Sequence, residues 1–504
     1  MRRKGFAEVM LWQLERGGAT PLYRQIQQQL RDAVLSRALR PGARLPSTRE
    51  LASRLGVARS CVIAAYSELL VEGVLSGRVG SGTYVSSDLP EPIEKAARRR
   101  SQRAGSTRRF SVPARARALE ALAADAQDET RPFQTGRSLV DARTVEVWRR
   151  LTQRALRELG PRHLGYTDPR GLPELRRTLC EYLKAARAVR CEPEQILVTS
   201  GTQHALDLAI RVLLEPGDEV WVEDPGYPMT VAALHAAGIR PRPVPVDAHG
   251  LVVRAGLRTA PRARAVYVTP SHQYPLGRVL STARRLELLA FARETGAFVL
   301  EDDYDSEFRY SGRPLPSLQG LDDAQRVLYV GTLNKVLFPG LRVGYVVVPE
   351  PLVRAFTAAR HLMDRQPQSL LQVVLADFME QGHFSGHVRR MRLQYRDQRD
   401  ALVLELTRRA GEHVRVEAPE QGMRLVAELP CGSRDLELEA AALRAGVIAR
   451  ALSSFYHKAE ARQGLLLGFT GYPRAAISAA VATLSRVIAD ALGARRARSA
   501  AAQG

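Results

Sequence analysis

From about residue 133 onward the chain alternates between two kinds of segment. Short runs rich in β-forming residues are predicted as strands at Gln195–Ser200, Glu219–Glu223, Ala265–Thr269, Ala297–Leu300, Val327–Gly331 and Val343–Val348. Helix-length amphipathic stretches, such as Ala205–Leu214 and Ala283–Thr295, lie between most of them. This alternation predicts an α/β domain with a mostly parallel sheet. After Pro351 the pattern turns helical with a few late strands. It predicts a large subdomain over 133–350 and a smaller C-terminal one over 351–495, with no internal repeat.

In an open sheet of this kind, ligands bind beyond the C-terminal ends of the strands. The segments following the predicted strands are Ser200-Gly201-Thr202-Gln203-His204, Glu223-Asp224-Pro225-Gly226-Tyr227, Pro270-Ser271-His272-Gln273-Tyr274-Pro275-Leu276-Gly277, Glu301-Asp302-Asp303-Tyr304-Asp305 and Gly331-Thr332-Leu333-Asn334-Lys335, with Arg342 shortly after. Lys335 is the most informative. The chain has 69 arginines and five lysines, so a lysine at a strand end suggests a task that a guanidinium cannot perform. A primary amine forms a Schiff base, and burial makes it nucleophilic. The bland reading is a surface lysine kept by chance; acidic and anion-binding strand ends beside it weigh against that. Asp302 suits the protonated pyridine nitrogen of pyridoxal phosphate. The Ser200–Gln203 turn offers backbone N–H groups and a helix start to a phosphate, and Arg342 adds donors. Tyr227 suits stacking on a ring. Each feature alone is more often structural; the combination is specific.

Residues 20–86 read as a separate compact unit. Pro21 opens a helix with Leu22, Ile26, Leu30, Val34 and Leu35 on one face, closed by a turn at Arg40-Pro41-Gly42. Ser47 and Glu50 have capping-box spacing for a second, short helix. A third is predicted from about Ala58 to Glu72, with Val62, Ala65, Leu69 and Leu70 inward. Two short strands around a Gly-rich turn follow, and the set makes a winged helix-turn-helix. The second helix of such a motif enters the DNA major groove at its N-terminus, here Ala58-Arg59-Ser60-Cys61. Arg59 suits guanine, Arg49 suits phosphate or bases, and the wing at Gly80 suits the minor groove or backbone. The plainer role for Arg49 is a surface ion pair with Glu50.

Charge supports this division. The net charge is +21, which an arginine-biased composition produces without any nucleic-acid partner. Residues 1–132, however, hold 23 basic against 13 acidic side chains, and the much longer remainder holds 51 against 40. Nine basic and no acidic residues fall between Lys95 and Arg117, so 87–132 is predicted to be a basic flexible linker. The four cysteines lack CxxC spacing, which predicts neither a zinc site nor a disulfide framework. No apolar run approaches the roughly 18–20 residues that span a bilayer, and no secretory leader is visible. A cytoplasmic protein without a membrane partner is the expectation.

These stretches carry a resemblance. Thr269-Pro270-Ser271-His272-Gln273-Tyr274-Pro275, Glu301–Tyr310 and Gly331–Arg342 resemble fold-type I aminotransferases, and 20–86 resembles a GntR-type DNA-binding domain. The combination resembles the MocR family of bacterial transcription regulators, PdxR-like members in particular. The resemblance implies a pyridoxal 5'-phosphate internal aldimine at Lys335, Asp302 at the pyridine nitrogen, Tyr304 at the ring hydroxyl and Tyr227 stacked on the ring. It places Gly201, Thr202, Gln203, Thr332 and Arg342 at the phosphate. It implies a head-to-tail homodimer in which Tyr166 reaches the partner subunit's phosphate, and it supports Arg49, Arg59, Ser60 and Gly80 as contacts to double-stranded DNA.

Several positions depart from the family pattern. Asn334 replaces a usual serine, Tyr274 a usual asparagine, and Ala58 and Cys61 usual Ser/Thr. Leu466, in Gly464-Leu465-Leu466-Leu467-Gly468, stands where aminotransferases carry the arginine that binds the substrate carboxylate; Arg462 or another arginine would have to substitute. The resulting expectation is a regulator of vitamin B6 or amino-compound metabolism, with the cofactor as effector or as the group that binds an amino-compound effector. The competing expectations are a working aminotransferase with an accessory DNA-binding domain, and a scaffold with a vestigial site.

Overall fold

The computed structural model describes residues 12–78, 81–87, 131–312 and 315–501. Most of the predicted linker, 88–130, and Gly80 lie outside the described residues. The chain divides into two compact units, Met1–Val112 and Pro113–Gly504.

In the first unit, α1 (Leu22–Leu35), α2 (Thr48–Leu55) and α3 (Arg59–Val71) pack around Ile26, Leu30, Val34, Leu51, Val62, Ala65 and Leu69. The Ser47 side chain accepts a hydrogen bond from the Glu50 amide at 3.2 Å, and Gly56 closes α2 in the left-handed conformation. Ala58 gives α3 no side-chain cap. Two positions expected inside are exposed, Leu35 and Leu70. Each lies one residue beyond a face already filled, by Val34 and Leu69, and Tyr66 takes the vacant inner position on α3. β1 (Leu75–Arg78) and β2 (Gly82–Val85) pair antiparallel behind the helices.

The second unit is built on an eight-stranded sheet. Its strands are β3 (Ile196–Thr199), β4 (Glu219–Asp224), β5 (Arg240–Asp247), β6 (Gly250–Leu251), β7 (Ala265–Val268), β8 (Phe298–Asp303), β9 (Val327–Thr332) and β10 (Gly344–Val347). They lie in the order β3-β10-β9-β8-β7-β4-β5-β6. From β9 through β8, β7 and β4 to β5 every pairing is parallel; β10 runs antiparallel between β3 and β9. Sequence patterning missed β5, Arg-Pro-Arg-Pro-Val-Pro-Val-Asp, whose three prolines lack the N–H that a strand's ladder uses. Prolines are tolerated near a sheet edge, where few ladder bonds are lost, and only the two-residue β6 lies beyond β5.

Helices cover both faces of the sheet. Thr202–Leu213 sets Leu206, Ala209 and Ile210 against Val220, Val222 and Leu300. On the opposite face Thr282–Thr295 sets Leu288 and Phe291 against Val266, Val268 and Val299. Both sides of each central strand are thus apolar, as burial between two helix layers requires. A second, antiparallel sheet joins β11 (Arg415–Val416), β12 (Arg424–Glu428), β13 (Arg450–Ala451) and β14 (Gly464–Gly468) in the order β11-β12-β14-β13. The helix Arg474–Ala501 amends one expectation: Arg474–Leu492, with mean hydropathy 1.5, is long and apolar enough to cross a membrane. Ile477, Ala480, Val481, Leu484 and Ile488 repeat at helical spacing and pack into the main core, as in an amphipathic core helix.

Candidate functional site

The parallel strands end along one edge of the sheet, and their order brings together residues far apart in sequence. β8 carries Asp302, which is 4 % exposed. The Tyr267 hydroxyl, from neighbouring β7, donates to its Oδ2, while Oδ1 is buried with no hydrogen-bond partner. Burial pushes the carboxyl up to about 7, against the pull of the Tyr267 bond. A half-satisfied buried carboxylate is costly on its own; a ring N–H⁺ is the kind of group that completes it.

β9 ends at Thr332, and the following turn delivers Lys335. Its Nζ lies 3.5 Å from the Gly136 carbonyl. Gly136 has φ +76°, and a Cβ there would fall 2.3 Å from that Nζ, so the glycine makes room for the amine. Nothing in the spacing pointed to Gly136, since it precedes every predicted strand.

The turn after β3 forms a cradle. Gly201 adopts φ +119°, open only to glycine, and opens the helix at Thr202 and Gln203. A Cβ on Gly201 would come within 2.8 Å of the Asn334 Nδ2, while the Asn334 Oδ1 accepts from the Val343 amide at 2.8 Å. The substitution for serine therefore serves as a brace beneath the cradle. The Arg342 guanidinium lies close by, 3.6 Å from the same hypothetical Cβ, and the Gln203 Nε2 is buried without a partner. Backbone N–H groups at a helix start, a glycine that admits close approach and an orphaned amide fit a phosphate. The residues present therefore fit pyridoxal phosphate at its ring nitrogen, its aldehyde and its phosphate.

Tyr227 follows β4, half-buried, with its ring edge-on to Tyr274 at 5.3 Å between centroids. Tyr304 follows β8; its hydroxyl donates to the His272 carbonyl at 2.6 Å and accepts from Arg424. His272 Nδ1 in turn bonds Asp305 at 2.9 Å, and both residues are buried. Tyr166 is not drawn into this cluster: it is 80 % exposed, with the Arg365 guanidinium 4.2 Å over its ring. Arg462 is also elsewhere, paired with Glu428 at the surface. Leu466 is buried in β14 in a cluster with Phe455 and Leu452, against which Tyr274 packs. Sequence reasoning placed His272 and Asp305 at strand ends without giving them a role, and it missed Tyr267, Gly136 and Arg424, which reach the site only through strand register and turn geometry.

In the first unit, Arg49, Arg59 and Ser60 are exposed at the N-terminal ends of α2 and α3. Arg59 Nε donates to the Thr48 hydroxyl at 3.3 Å, which orients its fork. Among the described residues Glu50 pairs with Arg54, one helical turn on along α2.

Fold and site define a class. Residues 132–466 match the family described as aminotransferase class I and II, and residues 22–85 match bacterial regulatory proteins, gntR family. The α-aminoadipate aminotransferase LysN of Thermus thermophilus, solved with N-(5'-phosphopyridoxyl)-L-leucine, superposes with a TM-score of 0.67 at 28% identity. That superposition covers 79% of this chain and 99% of LysN. The protein is a transcription regulator with an aminotransferase-like domain. Within that class the chain belongs to the MocR/PdxR family of HTH-type regulators. It is 38% identical over 462 residues to the probable rhizopine catabolism regulatory protein MocR of Rhizobium meliloti, covering 91% of this chain and 92% of the relative. It is 32% identical over 474 residues to the pyridoxine biosynthesis regulator PdxR of Corynebacterium glutamicum, covering 93% and 96%. Regulators with a GntR-type helix-turn-helix bind DNA.

Proposed function

We infer that this chain is a pyridoxal 5'-phosphate-dependent regulator, in which the state of the aminotransferase-like site sets the affinity of the winged helix for its operator. The observation that carries the reading is the bare, buried Oδ1 of Asp302 in a site that also holds Lys335 and a glycine cradle. When bound, the cofactor supplies an aldehyde that condenses with a primary amine, beside a ring that withdraws electrons. Lys335 holds it covalently, and Asp302, oriented by Tyr267, keeps the ring nitrogen protonated. Gly201, Thr202, Gln203, Thr332 and Arg342 hold the phosphate. Tyr227 stacks on the ring and Tyr304 meets its hydroxyl. In a homodimer, Tyr166 reaches the phosphate of the second subunit, consistent with an aromatic left exposed in one chain. Arg49, Arg59 and Ser60 contact the DNA, with the wing at Gly80 on the backbone or minor groove. The relatives named for pyridoxine biosynthesis and rhizopine catabolism support control of vitamin B6 or amino-compound genes, in the cytoplasm.

A dedicated aminotransferase is the second reading, favoured by the same lysine and carboxylate. The likeness along nearly the whole chain to a regulatory protein, with the gntR-type region included, favours the first reading over it. Absorbance spectroscopy tests the cofactor assignment: the loaded wild type should show a visible band that Lys335→Ala lacks. Identical spectra would refute it. Turnover of a common amino donor at the rate of a dedicated transaminase would reverse the order of the two readings.

A further inference from the structure

Leu466 leaves the site without an arginine on β14, and the neighbouring strand presents one. β12 and β14 pair antiparallel with Val426 opposite Leu466 and Arg424 opposite Gly468. Directly opposed residues share a face, and alternate residues along a strand do too, so Arg424 stands on the face that turns Leu466 and Val426 toward Tyr274 and Phe455.

The Arg424 side chain is 6 % exposed. Its guanidinium carbon lies 4.3 Å from the centroid of the Tyr274 ring and 5.0 Å from that of Tyr304. Nη2 donates to the Tyr304 hydroxyl, and Nε is buried with no hydrogen-bond partner. Asp305 is its nearest carboxylate, with Nη1 to Oδ2 at 3.8 Å, beyond hydrogen-bond reach, and both Asp305 oxygens already face His272 Nδ1 at 2.9 and 3.0 Å. A guanidinium carries five N–H donors in a planar fork, and burying them unpaired is costly. The fork lies over the rings of Tyr274 and Tyr304, with Nη2 spent on the Tyr304 hydroxyl and Nε left unpaired.

We propose that Arg424 binds the carboxylate of an amino-acid effector whose amine is directed to the cofactor at Lys335, so that the anion receptor has moved from β14 to β12. This rests on the cofactor assignment above, and it names the effector class: amines that also bear a carboxylate. Arg424 is a specificity residue here, and its contact with Tyr304 leaves the remaining donors for the ligand.

The test uses the full-length, cofactor-loaded protein and isothermal titration calorimetry with L-alanine, β-alanine, γ-aminobutyrate and ethylamine. In the wild type at least one of the three amino acids should bind at least tenfold more tightly than ethylamine. Arg424→Gln, which stays polar but loses the charge and the fork, should bring that ratio close to one while its cofactor band persists. Arg424→Lys, keeping the charge without the fork, should restore part of the preference. A wild type with no preference for any amino acid over ethylamine overturns the proposal. So does an Arg424→Gln protein that weakens amine and amino acids equally, since that marks a structural role through Tyr304 or Asp305. Absence of the visible band in the wild type would instead refute the cofactor assignment on which the proposal rests.

Discussion

Asp302 has one oxygen bonded to Tyr267 and the other bare, and that asymmetry has a pH signature. An ordinary aspartate titrates near 3.8, whereas burial holds this one up to about 7. Between those values the folded state binds the extra proton, so in cofactor-free protein the contribution of Asp302 to stability is lost as pH rises from about 4 to 7. Thermal melting of stripped wild type and Asp302→Asn should therefore diverge in favour of the variant over that range, by at most about 4 kcal/mol at about 1.4 kcal/mol per unit. Parallel curves would contradict the burial argument. Gly136 makes a separate prediction. In Gly136→Ala the new Cβ collides with the Lys335 amine at a left-handed φ, so the visible band should fall at least tenfold while backbone strain costs only about 1–2 kcal/mol. Lys335 and Asp302 were legible from residue type and strand-end position alone. Gly136, Tyr267 and Arg424 were not, because a glycine that clears space and side chains that meet across strands leave no local pattern.

At the scale of elements, the strands and helices that position the site were legible because both faces of the sheet are buried and the helix caps are explicit. β5 was not, because its prolines cannot donate to a ladder and are tolerated by its place near the sheet edge. The starts of α2 and α3 contrast in the same way. Ser47 caps α2, and Ala58 leaves α3 uncapped. Ala58→Ser should stabilise the winged-helix unit by about 1 kcal/mol, read as slower hydrogen exchange along α3 in the full chain; unchanged exchange would show that the free amides already have partners. Arg59→Ala should cost about 1–3 kcal/mol in operator binding and relax sequence preference at one position, measured by gel shift against substituted operators. A uniform loss across all sequences would assign Arg59 to phosphate instead.

For the whole molecule, the net charge of +21 is a poor guide until it is divided. The arginine excess in residues 1–132 belongs with a helix-turn-helix whose Arg49, Arg59 and Ser60 face solvent, whereas the remainder spends many arginines on internal pairs such as Arg187 with Asp303. Operator affinity should therefore fall steeply with salt, linearly in log–log form. Sedimentation should show a dimer, and Tyr166→Ala should weaken cofactor retention without altering the fold of a single chain; monomers with full retention would refute the shared site. Regulation by this chain requires coupling between cofactor and DNA. It is tested by titrating the full-length protein on its own upstream DNA, at fixed salt with competitor, with and without saturating pyridoxal 5'-phosphate, for wild type and Lys335→Ala. The expected result is sequence-specific binding whose affinity the cofactor changes in the wild type and leaves unchanged in Lys335→Ala. Superimposable curves in the wild type, or no preference over competitor, would contradict it.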